Sequence, residues 1–235
     1  MFDKWMQYSY AAQKHQRHRY LKFFFVFLIL FLLYNAISAF FISVWALNND
    51  TMQPGLAYGD RLIFSSFILP SKEYQLPFKR GSIVLVDLGN IKNRKIPLKI
   101  IDITVRFFSA QRHSIFGREE QYYIKRVIAL PGDEIFMNNF VFRVKPAGSP
   151  YILTEFELAQ RPYHPSFPNV PALWDETIPF SGNMDAIVLG PDECFVVSDD
   201  RSNTNDSRTW GPVSQSLITA RALLRFWPPF KFELY

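Results

Sequence analysis

A run of 25 residues without a charge, residues 23–47 (FFFVFLILFLLYNAISAFFISVWAL), constrains this chain more than any other feature. As one helix it would reach about 37 Å at ~1.5 Å per residue, longer than the ~30 Å hydrocarbon core of a bilayer. A cleaved export signal has a shorter apolar core and a small-residue exit site, so the run predicts a retained transmembrane anchor. A buried helix of a soluble domain fits poorly, because the run is apolar all round. Lys4, Lys14, Arg17, Arg19 and Lys22 precede it against Asp3 alone. That asymmetry puts residues 1–22 in the cytoplasm and everything beyond the anchor outside. Tyr20 and Trp45 stand where interfacial aromatics are expected. The surplus length predicts that helix ends near Phe41 and that residues 42–47 are already extended, so that residues 48–54 work at the membrane surface.

The same N-terminal cluster explains the net charge. The chain carries 26 Lys and Arg against 21 Asp and Glu, and beyond residue 22 the balance is 21 to 20. Nucleic-acid binding requires a concentrated basic face on the folded domain, and this balance points to none. The single cysteine, Cys194, has no partner in the chain and reads as a buried strand residue. His15, His18, His113 and His164 are scattered without ligand spacing, so neither a metal nor another cofactor is expected.

Past the anchor the apolar pattern has mostly period two. Strands are predicted at 61–64, 82–86, 121–130, 186–189, 194–198 and 221–227, with a hairpin over 134–144 turning at Asn138-Asn139. Sixteen Pro and ten Gly suit short strands and many turns. Two segments interrupt. Residues 99–118 place Ile101, Val105, Phe108 and Phe116 near one helical face, with Arg106, Arg112 and Arg118 elsewhere. Such a helix lies on lipid or packs on the domain. Residues 146–179 hold seven Pro and read as a loop-rich insertion. The expected organisation is a basic N-terminus (1–22), an anchor leading into the first strand (23–47), and a mainly β domain (48–235) with a small inserted subdomain (145–190).

Three blocks carry chemistry. They are Asn49-Asp50-Thr51-Met52-Gln53-Pro54-Gly55-Leu56 followed by Gly59-Asp60; Tyr123 to Asp133 (YYIKRVIALPGD from Tyr122); and Ser198-Asp199-Asp200-Arg201-Ser202-Asn203-Thr204-Asn205-Asp206-Ser207-Arg208 with Trp210-Gly211. In the second, Lys125 shares a strand face with Tyr123 and Val127, and Arg126 with Ile124 and Ile128. Both faces are mostly apolar, so at least one cation approaches a nonpolar layer. Burial lowers a lysine pKa, and a neutral amine takes a proton from a hydroxyl. The other reading of this block alone is an edge lysine whose amine snorkels to water.

Taken together, the blocks resemble the conserved boxes of bacterial type I signal peptidases. The family's Ser-Met-x-Pro-Thr-Leu is matched by Thr51-Met52-Gln53-Pro54-Gly55-Leu56, and its Gly-Asp-Ile-Val-Val strand by Gly81-Ser82-Ile83-Val84-Leu85. Its Lys-Arg-Val-x-Gly-Leu-Pro-Gly-Asp box is matched by residues 125–133, with Ala129 for the internal Gly, and its last box by residues 198–208. The resemblance implies a signal-peptidase-like β-sheet or partial-barrel domain on the outer side of the bacterial inner membrane. It implies an endopeptidase that removes signal peptides from exported preproteins after Ala-x-Ala sites, with preproteins and the bilayer as partners. Thr51 then stands at the nucleophile position and Lys125 at that of the general base. Thr204 stands where a hydroxyl orients the lysine, with Asp206 and Arg208 as a bracing ion pair. The N–H of Thr51 and the side chain of Asn49 fall at the oxyanion donors, and Met52, Leu56 and Ile124 line the pockets for small side chains.

The departures fall at the centre of that pattern: Thr51 for Ser, Asn49 for Ser, Gly55 for Thr, Ser198 for Gly and Thr204 for Ser. Threonine keeps a hydroxyl, but its methyl stiffens χ1. Ser198 adds an oxygen where the lysine stem passes, to crowd the amine or to hydrogen-bond it. A non-catalytic relative that binds signal peptides or membrane partners is the alternative. A self-cleaving repressor-type domain shares the hydroxyl/lysine logic but would not carry this anchor.

Overall fold

The uncharged run divides between helix and strand. The computed structural model describes residues 10–40, 42–66, 78–88, 101, 104–105, 122–169 and 182–235. Helix α1 (Tyr10–Phe40) begins well before the run, where Ala11, Ala12, Gln13 and Lys14 favour helix, and the chain is extended again in β1 (Ile42–Ala46). The uncharged part of α1, residues 23–40, is therefore ~27 Å long. No helix among the described residues is long and apolar enough to cross a membrane. The expected transmembrane anchor thus has no spanning helix among the described residues, while the expected change from helix to extended chain near Phe41 is observed, α1 ending at Phe40 and β1 beginning at Ile42. The helix carries Arg17, Arg19 and Lys22 toward its start. Phe23, Phe24, Phe25, Phe27, Leu30 and Leu33 of α1 are each more than half exposed.

The chain forms two compact units, one holding α1 and the described residues of 95–115, the other all the strands. In the first, Ile101, Thr104 and Val105 are helical; the remainder of the segment 99–118 expected as a helix lies outside the described residues.

The second unit is mainly β, as the period-two pattern requires. Its strands are β1, β2 (Arg61–Ser66), β3 (Ile83–Asp87), β4 (Tyr122–Ala129), β5 (Glu134–Asn138), β6 (Val141–Lys145) and β7 (Leu153–Thr154). After the one-turn helix α2 (Glu155–Leu158) come β8 (Met184–Val188), β9 (Glu193–Val197), the short helix α3 (Ser207–Trp210), β10 (Val213–Ser214), β11 (Ile218–Trp227) and β12 (Glu233–Leu234). The larger sheet runs β1-β2-β11-β3-β4-β9-β10 with β12 added to β11, and a smaller one runs β7-β6-β5-β8. The pairings within both are antiparallel. The expected inserted subdomain (145–190) contains β7 and β8 of the small sheet, while the other two strands come from the hairpin before it. That hairpin turns at Asn139-Phe140, both with positive φ (49° and 65°). This is one residue later than expected, because Phe140 is drawn into contact with Gly182.

Every residue of β3 is buried, so its two faces serve two layers. Ile83 and Leu85 join Leu47, Met52, Leu56, Leu62, Phe64 and Ile124; Val84 and Val86 join Val127, Cys194, Val196, Val213 and Ile218. A third layer (Ile128, Ile135, Met137, Phe142, Val144, Phe195, Val197) seats the small sheet on the large one. At that junction Asp133 is wholly buried. It accepts two bonds from Arg80 (2.7 and 2.9 Å) and one each from the N–H groups of Leu130 and Ala147. This is the reason for Pro131-Gly132-Asp133: Gly132 has φ 80°, and the carboxylate closes the turn.

Glu155 closes the same junction from the other side. It accepts from the Phe142 N–H, the Tyr163 hydroxyl and the Arg201 guanidinium. The Arg201 side chain is fully buried, its centre lies 4.9 Å over the Phe142 ring, and its Nε and Nη1 have no hydrogen-bond partner among the described residues. Removing one partner of a buried ion pair leaves an uncompensated charge and costs ~3–5 kcal/mol. Glu155→Ala is therefore expected to lower the unfolding free energy by about that amount, measured by denaturant titration in detergent, with Glu155→Gln falling between it and the parent.

Candidate active site

Lys125 enters the site from the middle of β4, opposite Val84 of β3. It is only 1% exposed, so the snorkelling alternative does not hold. Its Nζ donates to Ser198 Oγ at 2.7 Å and lies 5.7 Å from the centre of the Trp210 ring. Burial strips hydration from the ammonium and lowers the Lys125 pKa from its ordinary 10.5 to about 8. Asp206 pulls it up, Arg208 pushes it down, and Asp199 raises it. Arg126, next along the strand, is buried too. It forms a forked pair with Asp199, donates to Gly81 O at 2.7 Å and stacks 4.0 Å over Tyr163.

The segment after β9 is shaped around one ion pair. Asp206 caps α3 through the Arg208 N–H and accepts Arg208 Nε at 2.9 Å and Nη2 at 2.8 Å. Its Oδ2 also takes the Ser198 N–H at 2.9 Å. Burial opposes ionisation of Asp206, yet the Arg208 bonds and charge and the two backbone N–H groups hold its carboxyl below the usual range. Arg208 in turn donates to the carbonyls of Arg201 and Asn203, which fixes the loop. Ser198, 0% exposed, is thereby set directly against the lysine amine.

Thr51 lies in the loop between β1 and β2. That loop is closed by Leu47 N to Asp60 O (2.8 Å) and Gly59 N to Leu47 O (2.9 Å). Met52 and Leu56 pin it to the core, leaving Thr51 at 7% exposure. Its carbonyl accepts the Asp200 N–H at 3.0 Å, so the loop is tied to the segment that carries Ser198. Arg225 of β11 braces the loop from another strand, donating to Gly55 O (2.8 Å), Asp60 (3.1 Å) and Glu233 (2.6 Å).

The geometry joins some expected residues and separates others. Lys125, Ser198, Asp206 and Arg208 form one hydrogen-bonded chain. Asn49 and Thr51 form another: the Thr51 hydroxyl donates to Asn49 Oδ1 at 2.8 Å, and the Thr51 N–H reaches the same oxygen at 3.4 Å. Asn49 Oδ1 is thus an acceptor here, because two residues before Thr51 its short side chain curls back onto the turn. Among the described residues no hydrogen bond joins Thr51 to Lys125, nor the Thr204 hydroxyl to Lys125. The backbone carbonyl of Thr204 instead accepts from Asp206 N and Thr209 Oγ1. Met52 and Leu56 are fully buried and Ile124 is 9% exposed, so the expected pocket residues lie in the core beneath the loop. Trp210 and the Arg225–Asp60 pair carry no expectation from sequence. Arg225 gives the same signal as Lys125, a cation inside an apolar strand.

Residues 17–227 match the family described as signal peptidase, peptidase S26, and the chain belongs to that peptidase family. It is 28% identical over 181 residues to the probable signal peptidase I-1 of Synechocystis sp., covering 77% of this chain and 68% of the relative. Against signal peptidase I of Bacillus caldolyticus it is 28% identical over 174 residues (71% and 81% covered), and against signal peptidase I P of Bacillus subtilis subsp. natto 24% over 209 (88% and 84%).

The lowered lysine pKa has a consequence for stability. From about pH 8 to 10.5 the unfolded chain holds a proton that folded Lys125 has released, so this group adds stability as pH rises through that window. Below about pH 8 both states are charged and its contribution is flat. Paired unfolding curves of the parent and Lys125→Met are expected to diverge in the parent's favour between pH 8 and 10.5 and to run parallel below.

Proposed function

We propose that this protein removes N-terminal signal peptides from exported preproteins, cleaving after Ala-x-Ala sites with Thr51 as nucleophile and Lys125 as general base. The observation that carries this reading is a lysine amine buried to 1% exposure and poised to release its proton near pH 8, in a chain of the signal peptidase family. A base titrating near the working pH combines correct protonation with driving force for proton transfer.

In this reading the Thr51 hydroxyl leaves Asn49 Oδ1 when a substrate strand enters, passes its proton to neutral Lys125 and attacks the scissile carbonyl. The Thr51 N–H and the Asn49 amide stabilise the oxyanion. Lys125 then protonates the leaving amine, and a water activated by the same amine hydrolyses the Thr51 ester. Alanine-sized side chains are accommodated above Ile124, with Met52 and Leu56 forming the floor. The exposed phenylalanines and leucines of α1, preceded by Arg17, Arg19 and Lys22, support attachment to the bacterial inner membrane with the N-terminus cytoplasmic and the β domain on the periplasmic side.

One observation favours a second reading, a relative that binds signal peptides without cutting them: the Thr51 hydroxyl is engaged by Asn49 rather than by Lys125. Cleavage of an Ala-x-Ala preprotein in detergent decides between the two. Thr51→Ala and Lys125→Ala are expected to lower kcat on the order of ten-thousandfold, while Thr51→Ser keeps or raises it. Undiminished cleavage by Thr51→Ala removes Thr51 as nucleophile. A parent without activity, restored by Thr51→Ser, supports the binding role.

A further inference from the structure

Among the described residues, one side chain hydrogen-bonds the amine of Lys125, and it is that of Ser198 rather than Thr204. Ser198 follows β9 directly, is wholly buried, and has its backbone N–H locked to Asp206 Oδ2 at 2.9 Å. Asp206 is itself held by both Nε and Nη2 of Arg208. Its hydroxyl therefore has a fixed origin and a fixed target. Two residues on, the Asp200 N–H holds the Thr51 carbonyl. One short segment thus fixes both the amine and the backbone of the hydroxyl-bearing residue.

Thr204 is placed differently. It is half-buried, and its backbone is tied into the loop's own bonds, its carbonyl accepting from Asp206 N at 2.8 Å and from Thr209 Oγ1 at 2.6 Å. No hydrogen bond from its hydroxyl reaches Lys125 among the described residues.

We propose that Ser198 is the positioning residue for the Lys125 amine, accepting one N–H so that the lone pair of the neutral amine turns away from Ser198 and toward the Thr51 loop, and that Thr204 does not share this role. The inference rests on the reading of Lys125 as general base. Ser198 keeps its own proton throughout, and the proton transferred passes only between Thr51 Oγ1 and Lys125 Nζ. The groups around the amine are Asp199, Asp206 and Arg208 from the loop after β9, the ring of Trp210 from α3, and apolar Val84 across the strand pair. Among these, Ser198 alone orients the amine by a direct hydrogen bond. An amine displaced by about 1 Å costs on the order of a hundredfold in rate, and an ammonium that loses an acceptor titrates lower.

The test compares full-length parent, Ser198→Ala, Ser198→Gly and Thr204→Val in detergent. It reads kcat and KM on an Ala-x-Ala preprotein and follows the Lys125 side-chain nitrogen by NMR across pH 6–11. Both Ser198 variants are expected to lose roughly tenfold or more in kcat with KM held within about twofold, and to titrate Lys125 at lower pH. Thr204→Val is expected to keep the parent's kcat and titration. A Lys125 titration unmoved in Ser198→Ala overturns the inference whatever happens to cleavage. So does a tenfold loss with a shifted titration in Thr204→Val, a variant at a half-buried position that decides the matter even if Ser198→Ala fails to fold. The titration separates this inference from the general-base reading, because it moves with Ser198 even where cleavage proves independent of Lys125.

Discussion

An ammonium group taken out of water is the constraint around which this domain is arranged. Lys125 sits in a strand whose neighbours are apolar, and transfer from water penalises its charged form by roughly several kcal/mol even after relaxation, before partners are counted. The protein does not neutralise the amine with an adjacent carboxylate, which would hold the proton on. It supplies a neutral oxygen from Ser198 at 2.7 Å and keeps Asp206 occupied by Arg208. The outcome is an amine that keeps a hydrogen bond but is only weakly committed to its proton. The Asp206–Arg208 pair thus has two effects at once: it shapes the loop that carries Ser198, and its Arg208 offsets part of the Asp206 charge that raises the Lys125 pKa.

The Thr51 side is organised by an analogous buried cation. Arg225 holds the loop between β1 and β2 through Gly55 and Asp60, while Met52 and Leu56 anchor it in the core. The loop is therefore rigid at its base and presents Thr51 near the surface. A β-branched residue on such a base has few rotamers. Its hydroxyl rests on Asn49, and in the proposed reaction it exchanges that acceptor for Lys125. A serine at the same position would meet less resistance in that rotation, since it has no γ-methyl to sweep through the site.

Much of this was legible in the sequence. Period-two alternation located the main strands to within a few residues, and an apolar pattern on both faces of 121–130 indicated that at least one cation approaches a nonpolar layer, with an edge lysine snorkelling to water as the other reading. In the event both Lys125 and Arg126 are buried. What was not legible depends on irregular backbone. Ser198 and Thr204 are six residues apart in a loop without periodicity, and which hydroxyl meets Lys125 is decided by the bonds from Arg208 to the carbonyls of Arg201 and Asn203. Met52 and Leu56 were expected from the resemblance to line pockets, and how deeply the loop carries them into the core was not legible. The change from apolar helix to apolar strand inside the uncharged run was legible from its surplus length, which put the change near Phe41. Here that change falls between Phe40 and Ile42.

The central claim is that a buried lysine, held by a serine, activates a threonine. Incubating the protein with an activated ester of an Ala-x-Ala peptide and mapping the acyl group by mass spectrometry across pH 6–10 tests it most directly. The account predicts an ester on Thr51 that forms with an apparent pKa near 8 and is abolished in Lys125→Met. Acylation elsewhere, or on Thr51 at an undiminished rate without the lysine, would contradict it.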